Sequence, residues 1–151
     1  MNTLVKGKNE ASGKYTESEF KMTVDEGVEI DVLVSKPKTA GPHGALIFAH
    51  GGGGCLMTAK SYKHAVIEYG IELECVTFNV DYRLGPATKA PGGVMDFYKT
   101  VKHIIEKAAD WDVDPAKIIL CGESGGSMIV CGAAYELAKN DEAHLIKNMW
   151  L

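Results

Sequence analysis

Apolar and polar positions alternate in two short stretches, Phe20-Lys21-Met22-Thr23-Val24 and Ile30-Asp31-Val32-Leu33-Val34. Period-two alternation predicts half-buried strands, and Asp25-Glu26-Gly27 between them is turn chemistry, so the pair predicts an antiparallel hairpin. Pro37 to Gly44 is a polar loop. Ala45-Leu46-Ile47-Phe48-Ala49 is apolar without a break, which predicts a strand covered on both faces. The spacing of Ala59, Tyr62, Val66 and Tyr69 predicts a helix ended by Gly70. Cys75 to Val80 reads as another strand, and Asp81 to Pro86 as a loop. From about Pro91 the helical period returns in Val94, Phe97, Tyr98, Val101, Ile104, Ile105 and Ala108, until Asp110 to Pro115 turns the chain. Lys117-Ile118-Ile119-Leu120-Cys121 is a strand, and Met128, Ile129, Cys131, Ala133, Leu137 and Ala138 mark a helix rich in small residues. Asn140-Asp141-Glu142 breaks it, and Leu145 to Leu151 begins one more strand.

Strands alternating with helices predict an α/β fold: a mostly parallel sheet with helices on both faces, preceded by the antiparallel hairpin. Residues 1–19 carry many charges and no period, and are expected to form a polar leader or part of a cap. Residues 20–151 form the packed domain.

Composition narrows the function classes. With 151 residues the chain is one domain at most, and its hydrophobic content of 46% is that of a globular protein. The formal net charge is −4 and no basic stripe occurs, which argues against nucleic acid as a partner. No apolar run is long enough to span a bilayer and the first twenty residues hold no apolar signal core, so the expected location is cytoplasmic. Cys55, Cys75, Cys121 and Cys131 lie far apart and form no C-x-x-C pair, so structural thiols are expected rather than a metal site, and no cofactor is implied.

Two loops carry chemistry. Gly122-Glu123-Ser124-Gly125-Gly126 contains G-x-S-x-G between a strand and a helix, the setting of a nucleophile elbow. A turn that tight crowds the residues flanking the serine, and glycines relieve the crowding because they lack a Cβ. Ser124 is then exposed at the amino end of a helix, where developing negative charge is favoured. The second loop, His50-Gly51-Gly52-Gly53-Gly54, follows the doubly buried strand. Four glycines supply nothing to pack; they let backbone N–H groups approach a ligand. The Lys-Ser/Thr pair of a phosphate-binding loop is missing, so an oxyanion hole is the better reading.

His50-Gly51-Gly52-Gly53, Asp81-Tyr82-Arg83-Leu84 and Gly122-Glu123-Ser124-Gly125-Gly126, in that order and spacing, resemble the hormone-sensitive-lipase-like carboxylesterases of the α/β-hydrolase superfamily, as does Asp112-Val113-Asp114-Pro115. The resemblance runs from about Phe20 to the C-terminus and implies the N-terminal part of an α/β-hydrolase domain, truncated after the start of the strand that follows the nucleophile helix. It implies a serine esterase acting on a small-molecule ester, with Ser124 as nucleophile and the N–H groups of Gly52, Gly53 and Gly125 as oxyanion donors. His50, Gly51, Asp81 and Glu123 would support the site, and Asp81, Tyr82 and Arg83 would brace a buried loop. Gly54 and Cys55 stand where a large aromatic often follows HGGG, and Gly85-Pro86-Ala87 replaces the usual Ala-Pro-Glu.

In this fold the acid and histidine of the triad follow the serine. Only 27 residues follow Ser124, and His144 is the sole histidine among them. The topology sets His144 at the far end of the sheet, and His43, His64 and His103 fall on a loop and two helices. No acid–histidine pair is assigned. The alternatives are a non-catalytic small-molecule receptor on the same scaffold, as in the gibberellin receptors that resemble this family, and an inactive gene fragment. The last strand would leave an apolar edge open to self-association.

Overall fold

The computed structural model describes residues 13–151. Strands β1 (Tyr15–Asp25) and β2 (Val28–Pro37) form the antiparallel hairpin, with Tyr15 opposite Pro37 and Met22 opposite Ile30. Strand β3 (His43–Ala49) leads through the glycine loop to helix α1 (Ala59–Leu73), and β4 (Val76–Val80) to helix α2 (Gly92–Glu106). A 3-10 turn, Ala108–Trp111, precedes β5 (Val113–Gly122), which runs into helix α3 (Gly125–Lys139). A second 3-10 turn, Ala143–Leu145, precedes β6 (Asn148–Trp150).

The six strands form one mixed sheet in the order β1-β2-β4-β3-β5-β6. The β1–β2 and β2–β4 pairs are antiparallel, and the β4–β3, β3–β5 and β5–β6 pairs are parallel. Helix α1 packs on one face against β2, β3 and β4, while α2 and α3 pack together on the other. This explains the unbroken apolar run of β3. Ala45, Ile47 and Ala49 join the core that includes Phe97, Val101, Ile104 and Val130. Phe48 points to the opposite face, with ring centroids 5.7 Å from Tyr62 and 6.1 Å from Tyr69 of α1. Two-sided burial removes the alternation that a half-exposed strand shows.

Several boundaries differ from the sequence reading. β1 begins at Tyr15, so Tyr15–Glu19, read as leader, pair with Leu33–Pro37 of β2; residues 1–12 of that segment lie outside the described residues. Thr16 to Glu19 are exposed, and a strand without a buried face has no apolar alternation to read. His43, read as loop, opens β3, and β5 begins at Val113, within the expected turn. Gly70 does not end α1, which continues to Leu73 and is capped by Glu74 in the left-handed conformation (φ 49°). Gly70 is instead a packing glycine: a Cβ there would lie 2.7 Å from Thr77 Cγ2 of β4.

Candidate active site

β5 ends at Gly122 and α3 begins at Gly125, leaving two residues for a sharp reversal. Ser124 takes φ 53° and ψ −117°, a sparsely populated conformation held by its surroundings. Glu123 N donates to the Ala49 carbonyl at 3.3 Å, Gly126 N to Glu123 O at 2.8 Å, and Ser127 Oγ to Gly122 O at 2.9 Å. Glycine is required on both flanks: a Cβ on Gly122 would lie 2.5 Å from the Gly126 carbonyl oxygen, and one on Gly126 would lie 2.0 Å from that of Ala49. Ser124 is exposed, and its hydroxyl has no hydrogen-bond partner among the described residues.

The glycine loop lies against this turn. Gly52, Gly53 and Gly54 have φ of 112°, 63° and 73°, all in the left-handed half of conformational space. The backbone of Gly53 abuts Gly125, since a Cβ on Gly125 would fall 2.4 Å from Gly53 N. The loop is anchored through its carbonyls: Gly52 O accepts from Cys55 N at 3.1 Å and Leu56 N at 2.9 Å, and Gly54 O from Gly85 N at 2.8 Å. The N–H groups of Gly52, Gly53 and Gly125 donate to no acceptor among the described residues. Unpaired donors thus border the serine, at the amino end of a helix that adds positive potential.

His50 stands behind the loop and is fully buried. Its Nδ1–H donates to the Gly51 carbonyl at 2.8 Å, which makes Nε2 the acceptor nitrogen. Nε2 lies 3.7 Å from Asp81 Oδ1, and burial holds the His50 pKa below its ordinary value. Tyr82 stacks on the imidazole, with centroids 4.4 Å apart and planes 15° apart, and its hydroxyl donates to the His50 carbonyl at 2.7 Å. Burial raises the Tyr82 pKa to about 12, so the phenol remains a donor. Asp81 Oδ1 accepts from Ala59 N at 2.7 Å and so caps the first turn of α1. Arg83 grips Asp96 of α2 through Nε at 2.9 Å and Nη2 at 2.6 Å, and reaches Asp25 of the hairpin turn at 2.6 Å. The loop after β4 is thereby tied to the glycine loop, α1, α2 and the β1–β2 turn.

The structure brings Ser124, Gly52, Gly53 and Gly125 together, with Gly51 and His50 behind them and Asp81 beyond. Glu123 is exposed beside the serine, and its charge adds to burial in raising the Cys121 thiol to about 11. No histidine of the described residues hydrogen-bonds Ser124. His144 lies in the 3-10 turn before β6, its Nδ1 3.0 Å from the Asp141 carbonyl, and His43 Nε2 lies 3.1 Å from the Thr39 carbonyl. His64 is exposed on α1, and His103 lies in the last turn of α2, 5.9 Å from the Phe20 ring. No group of three metal-ligating side chains occurs among the described residues, and no helix among them is long and apolar enough to cross a membrane. A hollow of about 320 Å³ beside Ser124 is lined by Phe48, Tyr69, Cys121, Glu123 and Trp150. Sequence reasoning missed Asp96, although a carboxylate inside the apolar period of α2, buried next to Phe97, was its signal. It also missed Ser127, whose hydroxyl clamps the elbow.

Residues 46–151 match the family described as alpha/beta hydrolase fold. Arylacetamide deacetylase-like 3 of Mus musculus is 31% identical over 99 residues, which cover 64% of this chain and 24% of that protein. Carboxylesterase NlhH of Mycobacterium tuberculosis is 29% identical over 84 residues, 56% of this chain and 26% of that one. The chain therefore spans about a quarter of the length of these relatives. Among solved structures, Bacterial Heroin Esterase superposes with a TM-score of 0.82 at 30% identity, covering 86% of this chain and 42% of its own. An esterase of Pyrobaculum calidifontis has the same fold, with a TM-score of 0.84 at 24% identity over 94% of this chain and 45% of that one. With residues 46–151 matched to its model, the chain belongs to the α/β-hydrolase fold family, and it is similar to the deacetylase-like and carboxylesterase proteins named above.

Proposed function

We propose that this chain carries the nucleophile and oxyanion hole of a carboxylic ester hydrolase. The observation that carries the reading is the contact of Gly53 with Gly125, which places unpaired N–H groups beside an exposed, strained Ser124. In the reaction, Ser124 Oγ attacks the ester carbonyl carbon as a base removes the hydroxyl proton. The carbonyl oxygen becomes an oxyanion and is received by the N–H groups of Gly52, Gly53 and Gly125. Collapse of this intermediate breaks the bond to the alcohol oxygen, which leaves with the proton, and water then releases the acid from the acyl-serine. Such preorganised donors act without reorganisation at the moment of reaction, and one of them is worth about 10²–10³ in kcat.

His50 is assigned to bracing and not to proton transfer, because its Nδ1–H is committed to Gly51 O and its ring is sealed under Tyr82. We place the base and its acid outside the 151 residues, in keeping with the Ser, acid, His order of this fold. A receptor that binds an ester without cleaving it is the competing reading, favoured by the fact that no histidine hydrogen-bonds Ser124 among the described residues.

The test is hydrolysis of p-nitrophenyl butyrate by the full-length protein and its Ser124→Ala variant. Loss of turnover in the variant is expected; a variant as fast as wild type overturns the nucleophile assignment, and an inert wild type favours the receptor. A fluorophosphonate probe should label the 151-residue chain slowly or not at all, because removing triad members leaves only residual catalysis of about 10³–10⁴ over water. Rapid stoichiometric labelling would return the search for a base to His50, His64, His103 and His144.

A further inference from the structure

A second cavity lies away from Ser124, between α1 and the β1–β2–β4 end of the sheet, with a volume of about 220 Å³. Leu33, Val66 and Ile67 supply apolar wall. Ser35 and Asn79, 3% and 2% exposed, also line it. They sit on neighbouring strands, because Leu33 pairs with Asn79 and Ser35 with Thr77. Ser35 Oγ and Asn79 Oδ1 have no hydrogen-bond partner among the described residues. Asn79 is held by its Nδ2, which donates to the Ala59 carbonyl at 2.7 Å, so its orphan atom is an acceptor. Two orphan polar atoms in one cavity are unusual, since buried polar groups are nearly always paired.

We propose that this cavity is a binding site for a small neutral alcohol. Asn79 Oδ1 calls for a donor, and the Ser35 hydroxyl can donate to the same group in return. A ligand hydroxyl satisfies both atoms at once, while its hydrocarbon part lies along Leu33, Val66 and Ile67. The volume exceeds that of the one or two waters that could satisfy the two atoms, and suits a ligand smaller than drug size. The rim disfavours anions: Glu17 and Glu19 flank the opening, and Lys63 is engaged by Glu17. A carboxylate would meet this acidic rim and the lone pairs of Asn79 Oδ1, with Lys63 already paired to Glu17. The site stands apart from the proposed esterase chemistry and does not depend on Ser124.

The test is a ¹H–¹⁵N NMR titration of the full chain with 2-phenylethanol, with ethylbenzene and phenylacetate as controls. 2-Phenylethanol should shift the Asn79 side-chain amide and the backbone amides of Ser35 and Val66, equally in wild type and Ser124→Ala. Ethylbenzene, lacking the hydroxyl, should bind about fivefold more weakly, as should 2-phenylethanol to a folded Ser35→Ala variant. Phenylacetate should leave these resonances in place. No shift at Asn79 or Ser35, shifts confined to Ser124 and the glycine loop, equal affinity for ethylbenzene, or equal affinity for phenylacetate would each overturn the proposal. The wild-type comparisons decide it even if Ser35→Ala fails to fold.

Discussion

Tyr82 holds His50 twice: its ring stacks on the imidazole at 4.4 Å, and its hydroxyl donates to the backbone carbonyl of the same residue at 2.7 Å. His50 in turn holds the Gly51 carbonyl through Nδ1. The glycine loop, which has no side chains of its own to pack, is positioned by this aromatic pair.

Tyr82→Phe keeps the stack and removes one donor, leaving a buried carbonyl without its partner. The expected cost is about 1–3 kcal/mol of stability. If the loop forms the oxyanion hole, kcat of the full-length enzyme falls as well, with KM little changed. Urea unfolding read beside steady-state kinetics checks both; wild-type stability would show that the hydroxyl bond is dispensable.

Ser124 is strained, and glycine at the same position is not. Ser124→Gly should therefore raise stability by about 1 kcal/mol, equivalent to a Tm increase of about 3 °C for a chain of this size. Ser124→Ala keeps the Cβ and should show no such gain. Calorimetry on both variants tests this, and a Tm for Ser124→Gly at or below that of Ser124→Ala would mean that the elbow is not under strain.

Acid should destabilise the fold in two stages. Burial depresses the His50 pKa below its unfolded value, so its contribution is complete above about pH 6.5 and is lost as pH falls towards the folded pKa. The Asp25 carboxyl is held below the ordinary range by Lys99 and then Arg83, so its contribution is present above about pH 4 and is lost at lower pH. Asp25 is exposed and its share is screened by salt. The His50 ring resonance should titrate with a midpoint below about 6.5, and a midpoint above that would contradict its burial. Asp25→Asn should flatten the lower stage of a Tm–pH curve; an unchanged slope there would remove Asp25 from the account.

Among the described residues β6 pairs with β5 and with no other strand, and Met149, Trp150 and Leu151 are exposed. An open apolar edge templates pairing with a second copy. The 151-residue chain should sediment as concentration-dependent oligomers, and Met149→Lys with Trp150→Lys should return it to monomer. A wild-type chain that remains monomeric at high concentration would sink this expectation.

Much of this molecule is written in local pattern. Ala45 to Ala49 reads as a doubly covered strand because five successive apolar residues between glycine-rich segments are too few for a buried helix, and α2 reads as a helix because its apolar residues return with the helical period. The elbow and the glycine loop are equally legible, since their backbone conformations demand glycine at the positions themselves. Tertiary structure decided what depends on a distant partner. Gly70 reads as a helix end until Thr77 is seen against it, and Tyr15 to Glu19 read as leader until β2 pairs with them. Asp96 is a stray charge on an apolar face until Arg83 arrives from the loop after β4. The grip of Tyr82 on His50 joins residues 32 positions apart. Periodicity and turn chemistry report the local backbone and which face is buried. Which groups meet across the sheet is set by strand order and packing, and leaves no period in the sequence.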